Sequence, residues 1–88
     1  MAKFLVGKNE CRYKIIPNKI IEFKDECENG LYKYTPLKAK TIFKYKRKEL
    51  IYFINICRDE RCITNNEANR FIIEVNNIYL EMIKLVGV

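Results

Sequence analysis

The sequence predicts an α+β fold in which an antiparallel sheet of four to five strands packs against one C-terminal helix. Lysines at alternating positions between residues 38 and 48 indicate a strand, and Asn29-Gly30 indicates a hairpin turn. Apolar residues recur at helical spacing after residue 64. Because a chain of 88 residues has room for one core, we expect a single small domain spanning residues 1–88, with strands within residues 2–57 and the helix at about 65–86.

The first strands are predicted from short apolar runs bounded by turn residues. Residues 2–6 favour a short strand. Residues 19–24 and 31–35 flank an acidic segment that ends in Asn29-Gly30, a pair that readily adopts the positive φ angles of hairpin turns. Residues 50–57 are apolar at nearly every position, which predicts a central strand covered on both faces. The acidic segment would then form the tip of a hairpin.

The basic segment of about residues 37–46 is predicted to be a further strand. Successive side chains of a strand point to opposite faces, so the even-numbered lysines would share one face. A helix that begins with Thr35 as its N-cap and Pro36 as its first residue is the alternative, and it would scatter the lysines around its axis. The β-branched and aromatic content, and the extended bias of a residue before proline, favour the strand.

The C-terminal helix is predicted from its cap and its periodicity. Thr64 and Glu67 have the spacing of a capping box. Ile73 and Leu80 lie away from the main apolar face of this helix, one above the other. They predict either a second contact surface, for a homodimer through the C-terminal helix or for another partner, or a surface that a long N-terminal loop or strand covers.

The charge distribution predicts a polyanionic partner. The net charge is +6, and residues 31–48 contain no acidic residue. The leading hypothesis is a small non-enzymatic protein whose lysine-rich strand face contacts nucleic acid or an acidic or nucleoprotein partner. Ordinary solvation, or a charged edge that blocks strand pairing, is the alternative. The predicted binding residues are Lys33, Lys38, Lys40, Lys44, Lys46, Arg47 and Lys48.

Aromatic residues limit the kind of binding that the strand arrangement predicts. Phe43 and Tyr45 would face away from the lysines, so bases could not stack beside the neutralised phosphates. We therefore expect weakly specific, salt-sensitive binding to the backbone. A second hypothesis is a virus- or mobile-element-encoded inhibitor that, like anti-CRISPR proteins, binds a host nucleic-acid-handling protein. Small size and the possible second apolar face support it.

Catalysis and cofactors are not predicted. The chain lacks histidine and serine, so the common pairs of nucleophile and base are absent. Its four cysteines allow free thiols, disulfides or a metal site, but their spacing does not favour metal. They are Cys11, Cys27, Cys57 and Cys62. No apolar run has the length of a signal peptide or a membrane span, so we expect no membrane association and a cytoplasmic location.

Overall fold

The computed structural model describes residues 8–87, and almost all of them are helical. The described part begins with a short helix α1 (Lys8–Glu10), a π-helical turn (Cys11–Ile15) and helix α2 (Ile16–Lys33). Helices α3 (Pro36–Asp59) and α4 (Asn65–Val86) follow. Residues 8–87 contain no β-strand, so the predicted α+β class and the predicted strands within that range are wrong. The strand predicted at residues 2–6 lies outside the described residues.

Asn29-Gly30 lies inside α2 and forms no hairpin turn. Gly30 is buried, and a Cβ atom built on it would lie 2.8 Å from Cε1 of Phe43 in α3. Glycine therefore allows α2 and α3 to approach closely, a reason that only the tertiary structure reveals. The helix ends at Tyr34, which is extended (φ −115°, ψ 156°) and donates its N–H to Gly30 O at 3.0 Å.

Thr35 and Pro36 start α3, so the basic strand was the wrong choice between the two alternatives. Thr35 is extended (φ −64°, ψ 158°), and its hydroxyl accepts a hydrogen bond from the Lys38 amide at 3.4 Å. An N-cap residue is extended, so Thr35 can precede a proline and still begin a helix. Since α3 continues to Asp59, the predicted basic strand and the predicted central strand are parts of one helix.

The N-terminal helical segment widens directly before Pro17. Ile16 donates its N–H to Cys11 O, a bond that spans five residues as in a π-helix. Proline has no N–H, so the regular α-helical bond is lost at this point in any case. The wider turn lets the chain continue into α2 without a break, and it buries Cys11 at the start of the π-helical turn.

The turn between α3 and α4 is closed by a pair of backbone hydrogen bonds. Cys62 donates to Cys57 O at 2.8 Å, and Arg61 donates to Arg58 O at 3.0 Å. This is the Schellman pattern, in which the residue after the helix adopts the left-handed conformation. Arg61 occupies that position with φ 63°, where glycine is usual.

Helix α4 begins with the complete capping box that its sequence predicts. The Thr64 hydroxyl accepts from the Glu67 amide at 3.1 Å, and the Glu67 carboxylate accepts from the Thr64 amide at 2.8 Å. This hydrogen bond, together with Arg12 at 3.0 Å, holds the pKa of the Glu67 carboxyl below its usual range. The helix extends over Asn65–Val86, the interval indicated by the apolar pattern.

Helices α2, α3 and α4 pack against one another and enclose one apolar core. Phe43 of α3 is fully buried, and burying a side chain of this size contributes roughly 1.5–3 kcal/mol. None of the helices within residues 8–87 has the length and apolar character needed to span a bilayer. The other buried members of the core are Cys11, Ile16, Ile20, Phe23, Cys27, Ala39, Leu50, Ile54, Cys57, Cys62, Ile63, Ala68, Val75 and Met82.

Candidate nucleic-acid interface

Three of the predicted lysines form a row along the outer side of α3. Lys40, Lys44 and Lys48 are four residues apart, and residues four apart lie on one face of a helix, about 6 Å apart along its axis. Lys44 and Lys48 are exposed, and Lys40 is half-buried. The helix therefore keeps part of the lysine-rich face that the strand prediction expected. Only the other predicted binding residues are scattered around the helix axis.

Lys46 points toward α2 and is engaged there. Its Nζ donates to Glu26 Oε1 at 2.9 Å, and this hydrogen bond raises the pKa of Lys46 above its usual value. The side chain is about one-third exposed. A lysine already paired with a carboxylate offers less charge to an incoming phosphate, so Lys46 mainly links α2 to α3.

Arg47 points toward α4 and is also engaged. Its Nε donates to Asn76 Oδ1 at 2.6 Å, and its guanidinium lies 5.1 Å from the centre of the Tyr79 ring. The first contact is a hydrogen bond and the second a cation–π contact, and both stabilise the packing of α3 on α4. The structure thus gives Arg47 a role inside the bundle.

Lys33 and Lys38 lie at the corner between α2 and α3. Their Nζ atoms are 5.9 and 5.7 Å from the centre of the Tyr34 ring. Both side chains are exposed, so this corner carries additional positive charge at one end of the row on α3. Of the seven predicted binding residues, the fold places Lys40, Lys44 and Lys48 together, keeps Lys33 and Lys38 nearby, and turns Lys46 and Arg47 aside.

A shallow groove of about 310 Å³ lies within the lysine row. Thr41, Lys44, Tyr45 and Lys48 line it, and Tyr45 is 66% exposed. The expectation that Tyr45 faces away from the lysines is wrong, because in a helix residue 45 neighbours residues 41 and 48. Phe43 does face away and is fully buried.

Thr41 and Tyr45 are the site residues that the strand prediction missed. Their spacing from Lys44 and Lys48 is the signal that would have found them, since positions three and four apart are neighbours on a helix surface. The exposed Tyr52 lies on the same side of α3, two turns beyond Tyr45. We call the surface formed by Leu37, Lys40, Thr41, Lys44, Tyr45, Lys48 and Tyr52 the outer face of α3.

The cysteines form no comparable surface site, because all four are buried free thiols. Burial, together with the adjoining thiols of Cys62 and Cys57, raises the pKa of Cys11 to about 12. Burial likewise raises the pKa of Cys27 to about 11. No group of three or more potential ligands in residues 8–87 has a geometry that could hold a metal ion.

Ile73 and Leu80 lie on a different surface, in a groove between α2 and α4. They are 58% and 57% exposed, so no described part of the chain covers them. The groove measures about 960 Å³, and Ile21 of α2, which is 58% exposed, forms part of its opposite wall. The two residues predicted as an interface are therefore accessible.

Comparison with known proteins gives no family for this chain. No model of a known protein family matches it, and neither the curated protein sequences nor the solved structures contain a match to it.

Proposed function

We propose that the outer face of α3 binds single-stranded nucleic acid. Lys40, Lys44 and Lys48 neutralise phosphates, and Tyr45 stacks on a base. The observation that carries the proposal is the groove in which Lys44, Lys48 and an exposed tyrosine stand side by side. A positively charged track with an aromatic platform is the usual arrangement of proteins that bind single strands.

The lysine row supports contacts with phosphates. Its members are about 6 Å apart along the helix axis, a spacing comparable with that of phosphates along an extended single strand. Residues 29–48 contain no acidic residue, and the next one, Glu49, lines a groove shared with residues of α2. Because the contacts are mainly electrostatic, we expect association to be fast and binding to weaken with salt.

Tyr45 favours a single strand over a duplex. The faces of the bases in a duplex are covered by their stacked neighbours, whereas an unpaired base can stack on an exposed aromatic ring. The groove beside Tyr45 is shallow and lined by Lys44 and Lys48, so a base stacked on the ring would keep its phosphates near these two lysines. This arrangement needs no chemical step, and it agrees with a non-enzymatic binding protein.

The first test measures binding of the purified protein to labelled single- and double-stranded DNA and RNA at about 50 and 200 mM salt. Three phosphate contacts at about 0.7 each give a slope of about 2 in a plot of log affinity against log salt. Tighter binding to the single strands supports the proposal. Absence of binding at the lower salt would overturn it, and recovery of a discrete host protein in a pull-down would then favour the inhibitor hypothesis.

Two matched pairs of variants locate the surface. Lys44→Glu and Lys14→Glu change the net charge equally, and both lysines are exposed. Lys44→Glu should weaken binding more than about tenfold, and Lys14→Glu less than about threefold. Tyr45→Ala should weaken binding to single strands by about 1–3 kcal/mol, whereas Tyr13→Ala, at a tyrosine that is 72% exposed, should leave it unchanged. Equal effects within each pair would exclude the outer face of α3 as the binding surface.

A further inference from the structure

A second concentration of positive charge lies where the π-helical turn meets the turn between α3 and α4. A polar pocket of about 460 Å³ opens there, and Arg12, Arg58 and Arg61 line it. They are three of the five arginines in the chain, whereas no lysine within residues 8–87 lines the pocket. Lysines are more than twice as numerous as arginines, so a chance cluster of cations would consist mainly of lysine. The pocket is therefore distinguished by its arginines and not by the general basic character of the chain.

Two of these arginines meet a carboxylate through Nε. Arg12 Nε lies 3.0 Å from Glu67 Oε2, and Arg58 Nε lies 3.6 Å from Asp59 Oδ1. A guanidinium that meets one partner through Nε keeps the edge formed by its two Nη atoms for another, and this edge matches two oxygens of a phosphate. Arg12 Nε is also buried without an aligned hydrogen bond, so its ion pair alone does not account for the position of Arg12.

Arg61 combines an unfavourable backbone with an unpaired side chain. Its φ of 63° favours glycine. The side chain is exposed, and no carboxylate within residues 8–87 forms an ion pair with it. Arginine at this position thus gives the fold nothing that glycine would not give. Backbone strain of this kind is typical of positions whose side chain has a function.

The other polar groups at the pocket do not replace the arginines. Asp59 is the one acidic residue of the described part of the chain that lines it, so three positive charges face one negative charge. Asp59 is largely exposed, and an exposed ion pair at 3.6 Å is weak enough for a doubly charged ligand to displace it. At the start of α4, the amides of Thr64 and Glu67 are bonded within the capping box. The arginines therefore supply the contacts to an anion.

We propose that this pocket binds a phosphate monoester, whose terminal dianion lies among the guanidinium groups of Arg12, Arg58 and Arg61. A phosphate monoester carries about −1.5 to −2 charges at pH 7, and the planar fork of arginine contacts its oxygens in pairs. A small sugar phosphate and the terminal phosphate of a nucleic-acid strand both present this group. None of the three arginines belongs to the outer face of α3, so either proposal can fail without the other.

An NMR titration of the ¹⁵N-labelled protein with ribose 5-phosphate tests the pocket. This probe has no base that could stack on Tyr45, and ribose is the uncharged control. We expect a dissociation constant on the order of 1 mM, because the ligand is small and the pocket is open to solvent. The amide shifts should be concentrated at Arg12 and residues 58–65, which surround the pocket. Absence of such shifts up to about 20 mM at constant ionic strength would overturn the proposal.

Arg61→Gly separates binding from folding. It should weaken ribose 5-phosphate binding at least about fivefold, since a charge-assisted contact is lost, while the backbone of the turn becomes easier to adopt. Arg70→Ala removes an exposed arginine elsewhere and should change the affinity less than about twofold. Asp59→Asn removes the carboxylate from the pocket and should tighten binding about threefold. Unchanged binding in Arg61→Gly, or weaker binding in Asp59→Asn, would contradict the assigned site.

Short oligonucleotides identify the source of the phosphate. A 5′-phosphorylated strand that binds more than about tenfold tighter than the same strand with a 5′-hydroxyl assigns the pocket to strand ends. A smaller difference, together with binding of ribose 5-phosphate, assigns it to small phosphate compounds. Lys44→Glu, on the outer face of α3, should leave ribose 5-phosphate binding within about twofold. A loss as large as that in Arg61→Gly would attribute the binding to net charge and exclude the pocket.

Discussion

Arg61 has an unfavourable backbone conformation at the end of α3. Its φ of 63° lies in the left-handed region, which costs an L-residue roughly 1–2 kcal/mol relative to the ordinary regions. The hydrogen bonds of the turn offset this cost because they satisfy the last carbonyl groups of α3. Position 61 is therefore a place where the sequence does not optimise local stability.

Arg61→Gly should stabilise the protein. Glycine adopts the left-handed conformation without strain, and its greater freedom in the unfolded chain offsets part of the gain, so we expect an increase of about 0.5–1 kcal/mol in the free energy of unfolding. Urea denaturation followed by circular dichroism measures it. Arg58→Gly, within the last turn of α3, is the control and should destabilise by up to about 1 kcal/mol. A loss of stability in Arg61→Gly would contradict the account of the turn.

At the scale of single elements, the sequence distinguishes helix from strand poorly in α3. Lys40, Lys44 and Lys48 are four residues apart, and a spacing of four fits both a period of two and a period near 3.6. Thr41, Ile42 and Tyr45 are the residues that separate the two cases. Ile42 packs against the core, and Thr41 and Tyr45 are exposed, the reverse of what strict alternation predicts. With only three such residues, strand propensity decided the prediction, and it was wrong.

The start of α4 could be predicted from a local pattern, whereas α2 depends on a contact between residues that are distant in the sequence. The capping box of Thr64 and Glu67 involves residues three apart, so the sequence alone contains it. Gly30 is different, because its partner Phe43 lies on another helix and is thirteen positions away. Without that partner, Asn29-Gly30 reads as a turn. The error about the hairpin therefore comes from a contact that no local pattern encodes.

Substitution of Arg47 should mainly lower stability, and substitution of Lys48 should mainly weaken binding. The two residues are adjacent, and both were predicted as binding residues. Arg47→Leu removes the hydrogen bond to Asn76 and the contact with Tyr79, so the free energy of unfolding should fall by about 1–2 kcal/mol. Binding of single strands should weaken less than about threefold in this variant. Lys48→Leu should change stability by less than about 0.5 kcal/mol and weaken binding more strongly. The reverse pattern in urea denaturation and binding titrations would place Arg47 in the site and exclude its proposed role.

At the scale of the whole molecule, the packing of the helices leaves only some of the predicted binding residues together on one surface. The sequence shows which residues are basic and that acidic residues are absent from the same segment. It does not show that Lys46 meets Glu26, since that partner is twenty positions away on another helix. The sequence thus predicts the sign and approximate place of the proposed binding surface, and the arrangement of α2, α3 and α4 decides which cations remain together on it.

The four thiols should react very slowly in the folded protein. All four are buried, and burial raises the pKa of Cys11, Cys27 and Cys57, so the reactive thiolate of these three is scarce at pH 8. We expect reaction with an aromatic disulfide reagent to be at least about 100-fold slower in buffer than in urea. Rapid release of one equivalent of thiolate in buffer would contradict the buried arrangement.

The positions of these thiols divide the molecule into two regions that can be followed separately. Cys11, Cys57 and Cys62 adjoin one another where the π-helical turn meets the end of α3 and the turn that follows it. Cys27 lies between α2 and α3, near Lys46. Because labelling requires a region to open, mass spectrometry of partly labelled protein would rank the opening free energies of the two regions. The cysteines thus act as built-in probes of which part of the bundle loosens first.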